Sequence, residues 1–217
     1  MPEDHANPAA SHTITTIEQL EAIYQVPAAT MPAMVKELDH ISDHYRRFIE
    51  VSPFVVLATA GPDGEGLDCS PRGDPAGFVR VVDKKTVMIP DRRGNNRADS
   101  LRNIVIDGRI ALLFLIPGIG GTLRINGRAT LSTDPALCES FKMEGKLPRC
   151  VIVVTADNVY TQCPKALVRS DLWNPAKHVE RRSLPSSGTI LADITRGRVG
   201  GPEYDAAYPE RLKATIY

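Results

Sequence analysis

At 217 residues, with 26 basic and 26 acidic side chains, the chain is long enough to bury a core and carries no net charge that would attract nucleic acid or anionic lipid indiscriminately. Its hydrophobic (42%) and charged (24%) fractions are those of a globular protein, and its longest apolar run, residues 110–117, is far too short to span a bilayer. Cys69, Cys138, Cys150 and Cys163 lack zinc-ribbon or CxxC spacing, and residues 1–12 lack the basic-then-apolar pattern of a secretory leader, so the expectation is reduced thiols in a cytoplasmic protein.

Residues 1–12 are polar and are expected to be disordered. A short helix is expected over 16–24, where Thr16 with Gln19 and Thr15 with Glu18 have capping-box spacing. Residues 33–49 place Met34, Leu38, Ile41, Tyr45 and Phe48 on one helical face, which predicts a single helix. That helix would also bring His40 and His44 together, although no third metal ligand is evident and a solvated face is the simpler reading. After Pro53, residues 54–60 form a β-branched strand, 61–64 a turn, and 67–71 a returning strand. A second hairpin pairs 78–82 with 86–90. A polar turn over 91–97 leads into a helix over 100–106. Strands follow over 109–116 and 122–132, then a helix opened by Asp134-Pro135 and running to about 143. A strand over 149–160, a helix from about 165 to 173, a helix over 189–195 and a final helical turn complete the chain. Strands that arrive mostly as hairpins, with helices between them, predict an antiparallel barrel rather than a parallel α/β sheet. No GxGxxG and no P-loop support the usual nucleotide folds.

The densest chemistry lies between positions 91 and 128, which hold seven arginines: Arg92, Arg93, Arg97, Arg102, Arg109, Arg124 and Arg128. The planar guanidinium meets phosphate oxygens two at a time, so the turn 91–97, with Asn95 and Asn96 among its arginines, is a candidate anion site. Gly94 is expected to let backbone amides turn inward, and the N-terminus of the next helix, from about Ala98, adds a positive dipole end. Ser70-Pro71-Arg72-Gly73 ends a strand in a similar way. Arg124 and Arg128, four apart on one strand, share a face that would put cations on a second side of the ligand if it looks toward the turn. The histidines, at 5, 12, 40, 44 and 178, fall outside this region, and no GxSxG elbow is present. No catalytic residue and no metal site are identified, so any enzyme chemistry is expected to belong to an organic cofactor.

FVVLATAGPDG (54–64), SPRG (70–73), VMIPDRRGNNRADSLRNI (87–104), GRIALLFLIPG (108–118) and TLRINGRA (122–129) stand in the order seen in one known family. Over about residues 45–175 the chain resembles the pyridoxamine 5'-phosphate oxidase-like FMN-binding split-barrel proteins, and within them the oxidase-related branch. The resemblance implies a mainly β fold with peripheral helices: a six-stranded antiparallel split β-barrel of the FMN-binding type. Residues 1–12 would be the disordered start, 13–50 helices packing on the barrel, 51–175 the FMN-binding domain and 176–217 a C-terminal extension. It also implies a homodimer with FMN at the interface, with Ser70, Arg72 and the segment 89–97 around the cofactor. Arg72, Asn96 and Arg97 would hold phosphate, Pro90 and Asp91 would lie beside the ring, and Arg92 and Asn95 belong to the same segment. Lys165 and Trp173 are expected from the partner subunit. The oxidase's phosphate-binding lysine has no counterpart after Arg72, where the chain reads Gly73-Asp74-Pro75-Ala76, and the oxidase's C-terminal substrate-binding pattern is absent.

The leading expectation is therefore an FMN-dependent oxidoreductase acting on an unknown small molecule. The alternative is a non-catalytic module that stores or senses flavin, or holds haem or a deazaflavin; barrel residues without histidine weaken the haem version. A nucleic-acid binder ranks third, because aromatic content is 6% and no aromatic stripe exists.

Overall fold

The computed structural model describes residues 12–24, 27–62 and 66–217, so residues 1–11 of the expected disordered start and residues 63–64 of the expected turn lie outside the described set. The chain divides into two compact units, Met1–Lys36 and Glu37–Tyr217. The first contains helix α1 (Ile17–Glu21) and helix α2 (Pro32–Val35). Thr16 and Gln19 form the expected capping box at the start of α1.

The expected helix over 33–49 is broken in two. Helix α2 ends at Val35, and helix α3 (Asp43–Val51) begins only after a new N-cap, where Ser42 Oγ accepts from Tyr45 N at 3.3 Å. Between them the backbone is used by a later strand, Val151–Gln162, and by the turn before another, Thr86–Pro90. Leu38 exchanges two hydrogen bonds with Val159 (2.9 and 2.8 Å), and Ile41 N donates to Lys84 O at 2.7 Å. Tertiary pairing of Leu38 and Ile41 overrides their helical spacing. His40 is left outside α3, paired with Asp39 at 2.8 Å, so it and His44 do not share a helix face.

One antiparallel sheet dominates the second unit. Its strands are β1 (Phe54–Thr59), β2 (Asp68–Gly73), β3 (Arg80–Val81), β4 (Thr86–Pro90), β5 (Arg109–Leu115), β6 (Thr122–Ser132) and β7 (Val151–Gln162). They lie in the order β2-β1-β5-β6-β7-β4-β3, so the sheet has seven strands, not six, and its end strands do not pair with one another. The extra member is β3, two residues long, the remnant of the strand expected over 78–82. Alternation is clean: Val55, Leu57 and Thr59 of β1, and Ile110, Leu112 and Phe114 of β5, point into the core while their neighbours do not. Ile125 of β6 with Ile152, Val154 and Val159 of β7 extends that core along the two longest strands.

The sheet is strongly coiled. In a flat sheet β2 and β4 would be roughly 24 Å apart. Here Arg92, just after β4, and Asp74, just after β2, meet at 2.6 Å. Helix α3 packs on β3, β6 and β7, and helix α4 (Asp99–Ile106) on β1, β2, β5 and β6. Helix α5 (Pro135–Ser140) is capped by Asp134, which accepts from Leu137 N at 2.8 Å, and its end is held by Arg80, whose guanidinium lies 3.7 Å from the Phe141 ring centroid. Helices α6 (Lys165–Ser170), α7 (Ser187–Thr195), α8 (Pro202–Ala206) and α9 (Tyr208–Thr215) follow the sheet, so the tail holds two helices where one turn was expected. Among the described residues, no helix is long and apolar enough to cross a membrane.

Gly127 explains the middle of TLRINGRA. The β6–β7 register slips there, pairing Asn126 with Asn158 but Gly127 with Ala156. At this bulge a Cβ on Gly127 would sit 2.0 Å from Thr155 O. Gly127→Ala should therefore force the central strands apart and cost about 1–3 kcal/mol in urea unfolding. A change below 0.5 kcal/mol (about the scatter of surface substitutions) would show that the bulge relaxes freely.

Candidate functional site

The inward face of β2 is polar. Asp68, Ser70 and Arg72 alternate inward while Cys69, Pro71 and Gly73 face out. A strand side made of such residues needs partners, and it finds them in one another and in Ser100 of α4. Ser100 Oγ donates to Asp68 Oδ2, so the 2.8 Å contact between Ser70 and Ser100 is donated by Ser70. Arg72 Nη1 donates to Ser70 Oγ and Pro71 O, each at 2.9 Å, and Nη2 reaches Ser100 Oγ at 3.4 Å. Arg72 Nε is buried and has no hydrogen-bond partner. Its charged neighbour Asp91 stands off at 4.0 Å, too far for a hydrogen bond. An unsatisfied charged donor on a largely buried side chain is costly to maintain, which makes it a sign of a missing acceptor.

β4 delivers the opposite wall. Pro90 is buried at the strand end, and Asp91 N donates to Cys150 O at 3.0 Å, which fixes where the turn leaves the sheet. Asp91 has its carboxyl pushed above the usual aspartate range, chiefly by burial and against the pull of Arg72 and Arg149. Beside it, burial and the Asp91 charge push the Cys150 thiol up to about 11, so the cleft contains no reactive thiolate there. The turn ends on two left-handed residues, Asn96 (φ 61°) and Ala98 (φ 58°). The expected role of Gly94 is thus corrected: its φ is not positive, and the strained conformations fall on Asn96 and Ala98. Arg149 Nη1 donates to Asn96 Oδ1 at 3.0 Å, and Asn95 Oδ1 accepts from Arg97 N at 3.0 Å. Ala98 is the N-cap of α4 and offers no side-chain cap, leaving first-turn amides of the helix without that partner.

These walls enclose a cleft of about 950 Å³. Ser70, Arg72, Pro90, Asp91, Arg92, Asn95, Asn96 and Arg97 all line it, from two stretches of chain that the coiled sheet brings together. Lys165 and Trp173 do not; Trp173 Nε1 donates to Ile119 O at 2.9 Å, in the turn between β5 and β6. Arg124 and Arg128 do not either: Arg124 pairs with Tyr160 Oη at 3.0 Å, and Arg128 reaches Asp107 O at 3.4 Å. Cations therefore do not flank the cleft from β6. Among the lining residues that were not anticipated are Asp68, Asp74, Ser100, Arg149, Cys150 and Tyr217. Asp74 accepts from Arg92 Nε (2.6 Å) and Tyr217 Oη (2.8 Å), and Arg92 Nη1 donates to Phe141 O at 2.7 Å. No local spacing announces them, because each meets the cleft through a partner distant in sequence.

A family profile described as pyridoxamine 5'-phosphate oxidase matches residues 41–163, more than half of the chain. The chain belongs to the pyridoxamine 5'-phosphate oxidase family. The family match contains the β2 and β4 residues that line the cleft, the turn 91–97, Arg149 and Cys150, and it stops before Lys165, Trp173 and Tyr217. Among solved structures, HupZ of Group A Streptococcus is 19% identical with a TM-score of 0.46, the match covering 57% of this chain and 94% of that one. An FMN-binding protein of Syntrophomonas wolfei subsp. wolfei is 10% identical with a TM-score of 0.39, over 54% of this chain and 86% of the other. General Stress Protein 26 of Bacillus anthracis is 12% identical with a TM-score of 0.38, over 54% and 93%. No curated protein matches the chain.

Proposed function

We propose that this member of the pyridoxamine 5'-phosphate oxidase family is an FMN-binding flavoprotein of the split-barrel type, working as an oxidoreductase on a small molecule. The observation that carries the reading is Arg72, whose buried Nε lacks a partner at the wall of a cleft lined by residues of the turn 91–97. The cleft volume of about 950 Å³ falls within the range of ligand pockets. Coiling that brings β2 against β4 supports the split-barrel description.

The residues present fit a flavin mononucleotide. Arg72, Asn96, Arg97 and the uncapped start of α4 would hold the phosphate. Pro90 would border the ring, and Asp91, 4.0 Å from Arg72 Nε, would stand where the ring side of the cleft meets the phosphate. FMN, when bound, accepts or donates a hydride, and the chain supplies orientation and charge around it. Among the cleft-lining residues there is no histidine, which leaves carboxyl groups, the Tyr217 hydroxyl and water to carry a proton at this site.

A homodimer is part of the proposal. Leu101 and Leu131 line both the cleft and a neighbouring apolar groove that includes Val105 and Ile106 of α4, which are 74% and 61% exposed. An apolar face continuous with the cleft rim is what a second copy would cover, and through such an interface Lys165 and Trp173 would reach the cofactor. Four free cysteines support a reducing, cytoplasmic setting.

The test is the absorption spectrum of the purified full-length protein, before and after added FMN and then anaerobic NADPH. Two flavin bands that bleach are the expected result. Bands that persist keep the cofactor and remove NADPH as donor, favouring storage or sensing. A protein that neither carries nor takes up FMN refutes the assignment.

A further inference from the structure

The cleft walls carry four carboxylates, and three of them are engaged. Asp74 is bonded to Arg92 at 2.6 Å, Asp99 to Arg97 at 2.7 Å, and Asp68 accepts from Ser100 Oγ. Asp91 differs: it approaches Arg72 Nε only to 4.0 Å, and that is the nitrogen that has no hydrogen-bond partner. The two charges share a partly enclosed space, with side chains 18% exposed each, yet do not close on one another. An acceptor atom bound at Arg72 Nε would enter the region that Asp91 faces, so an incoming anion and the Asp91 carboxylate compete for one cation. Like charges that close in a shielded site cannot both remain ionised cheaply.

We propose that Asp91 is the proton-accepting partner of the anion site: a dianionic group that binds at Arg72 drives Asp91 to take up one proton from solvent, so ligand binding and protonation are coupled. The inference rests on reading the cleft as an anion site and adds to it a named residue with a proton count. Burial already holds the Asp91 carboxyl above its ordinary range, which brings the coupling toward working pH. The other groups facing Asp91 are constant across that range. Arg72 on β2 and Arg149 before β7 supply the positive charge around it, and the Cys150 thiol, pushed up to about 11, stays neutral. One residue further along, Arg92 and Asp74 satisfy each other.

Sulfate is the probe, because it remains a dianion from pH 4.5 to 7.5 and cannot itself supply the proton change. Isothermal titration of the full chain with sodium sulfate, in two buffers of different ionisation enthalpy, reads proton uptake directly. The wild type should take up a proton on binding, and its affinity should fall as pH rises, by up to about tenfold per unit. Asp91→Asn should lose that uptake and bind sulfate at pH 7 more tightly than the wild type. Thermal melting gives an independent readout. A carboxyl raised in the fold contributes stability below its unfolded value and loses it as pH rises through the folded one, so Asp91→Asn should melt higher than wild type at pH 7 and lose that advantage near pH 4. Sulfate binding without proton uptake in the wild type, or weaker binding by Asp91→Asn, overturns the coupling and leaves the anion site standing. No sulfate binding by either protein at any pH overturns both.

Discussion

Asp74→Ala is expected to cost the fold about 3–5 kcal/mol in urea unfolding, because it strands a buried charge. The Asp74 side chain is 1% exposed and Arg92 is 15% exposed, so the pair is largely shielded from water. The aspartate holds Arg92 Nε at 2.6 Å and the Tyr217 hydroxyl at 2.8 Å. Its removal leaves one guanidinium without a counter-charge and one phenol without an acceptor. Arg92 is also fastened to Phe141 O at 2.7 Å, so it cannot swing into solvent without breaking the tie to the end of α5. The position aggravates the loss, since this pair clasps the ends of β2 and β4, which the sheet order keeps apart. A double replacement, Asp74→Leu with Arg92→Met, should recover most of the stability, because well-packed apolar groups replace a buried ion pair at little cost. Tyr217→Phe should cost only about 0.5–1.5 kcal/mol, the worth of one hydrogen bond. A single Asp74→Ala loss under 1 kcal/mol would place the pair among ordinary surface bridges and discard its role as a clasp.

That clasp also marks where sequence reading stops. Strands β1, β5, β6 and β7 are legible because β-branched and aliphatic residues alternate, a signal contained within each segment. The turn 91–97 is legible because its cations and amides are neighbours in the chain. Partners that lie 18, 53 and 143 residues apart are a different matter: Arg92 with Asp74, Arg149 with Asn96, and Tyr217 with Asp74 meet only after the sheet has coiled. The helix expected over 33–49 fails for the same reason in reverse. Its periodicity is real, but Leu38 and Ile41 give their amides to Val159 and Lys84, and those acceptors come from far along the chain. Conformation inferred from residue type fails at Gly94, because the tight turn places its left-handed geometry on Asn96 and Ala98. A non-glycine residue held there at a helix start is a strained arrangement that the surrounding contacts must maintain.

Arg72→Gln should weaken FMN binding by roughly 100-fold, read by flavin fluorescence quenching. Two charge-assisted hydrogen bonds to an anion are worth about 3 kcal/mol together in a shielded site, and glutamine offers neither the charge nor the planar fork. Arg72→Lys should recover little, since an ammonium cannot present a donor at Nε while also bridging Ser70 and Ser100. Arg97 supplies the contrast. It is 74% exposed and already engaged with Asp99 at 2.7 Å, so its removal should change affinity by about fivefold or less. The comparison separates two sites that look alike in sequence. An anion held chiefly by the arginine-rich turn would make Arg93 and Arg97 dominant and Arg72 minor. An anion held at the polar face of β2 reverses that order, and the buried, unpartnered Nε of Arg72 favours the second arrangement. Equal losses from Arg72→Gln and Arg97→Ala would mean the phosphate lies out in the turn, and the proton coupling assigned to Asp91 would then lose the contact it depends on.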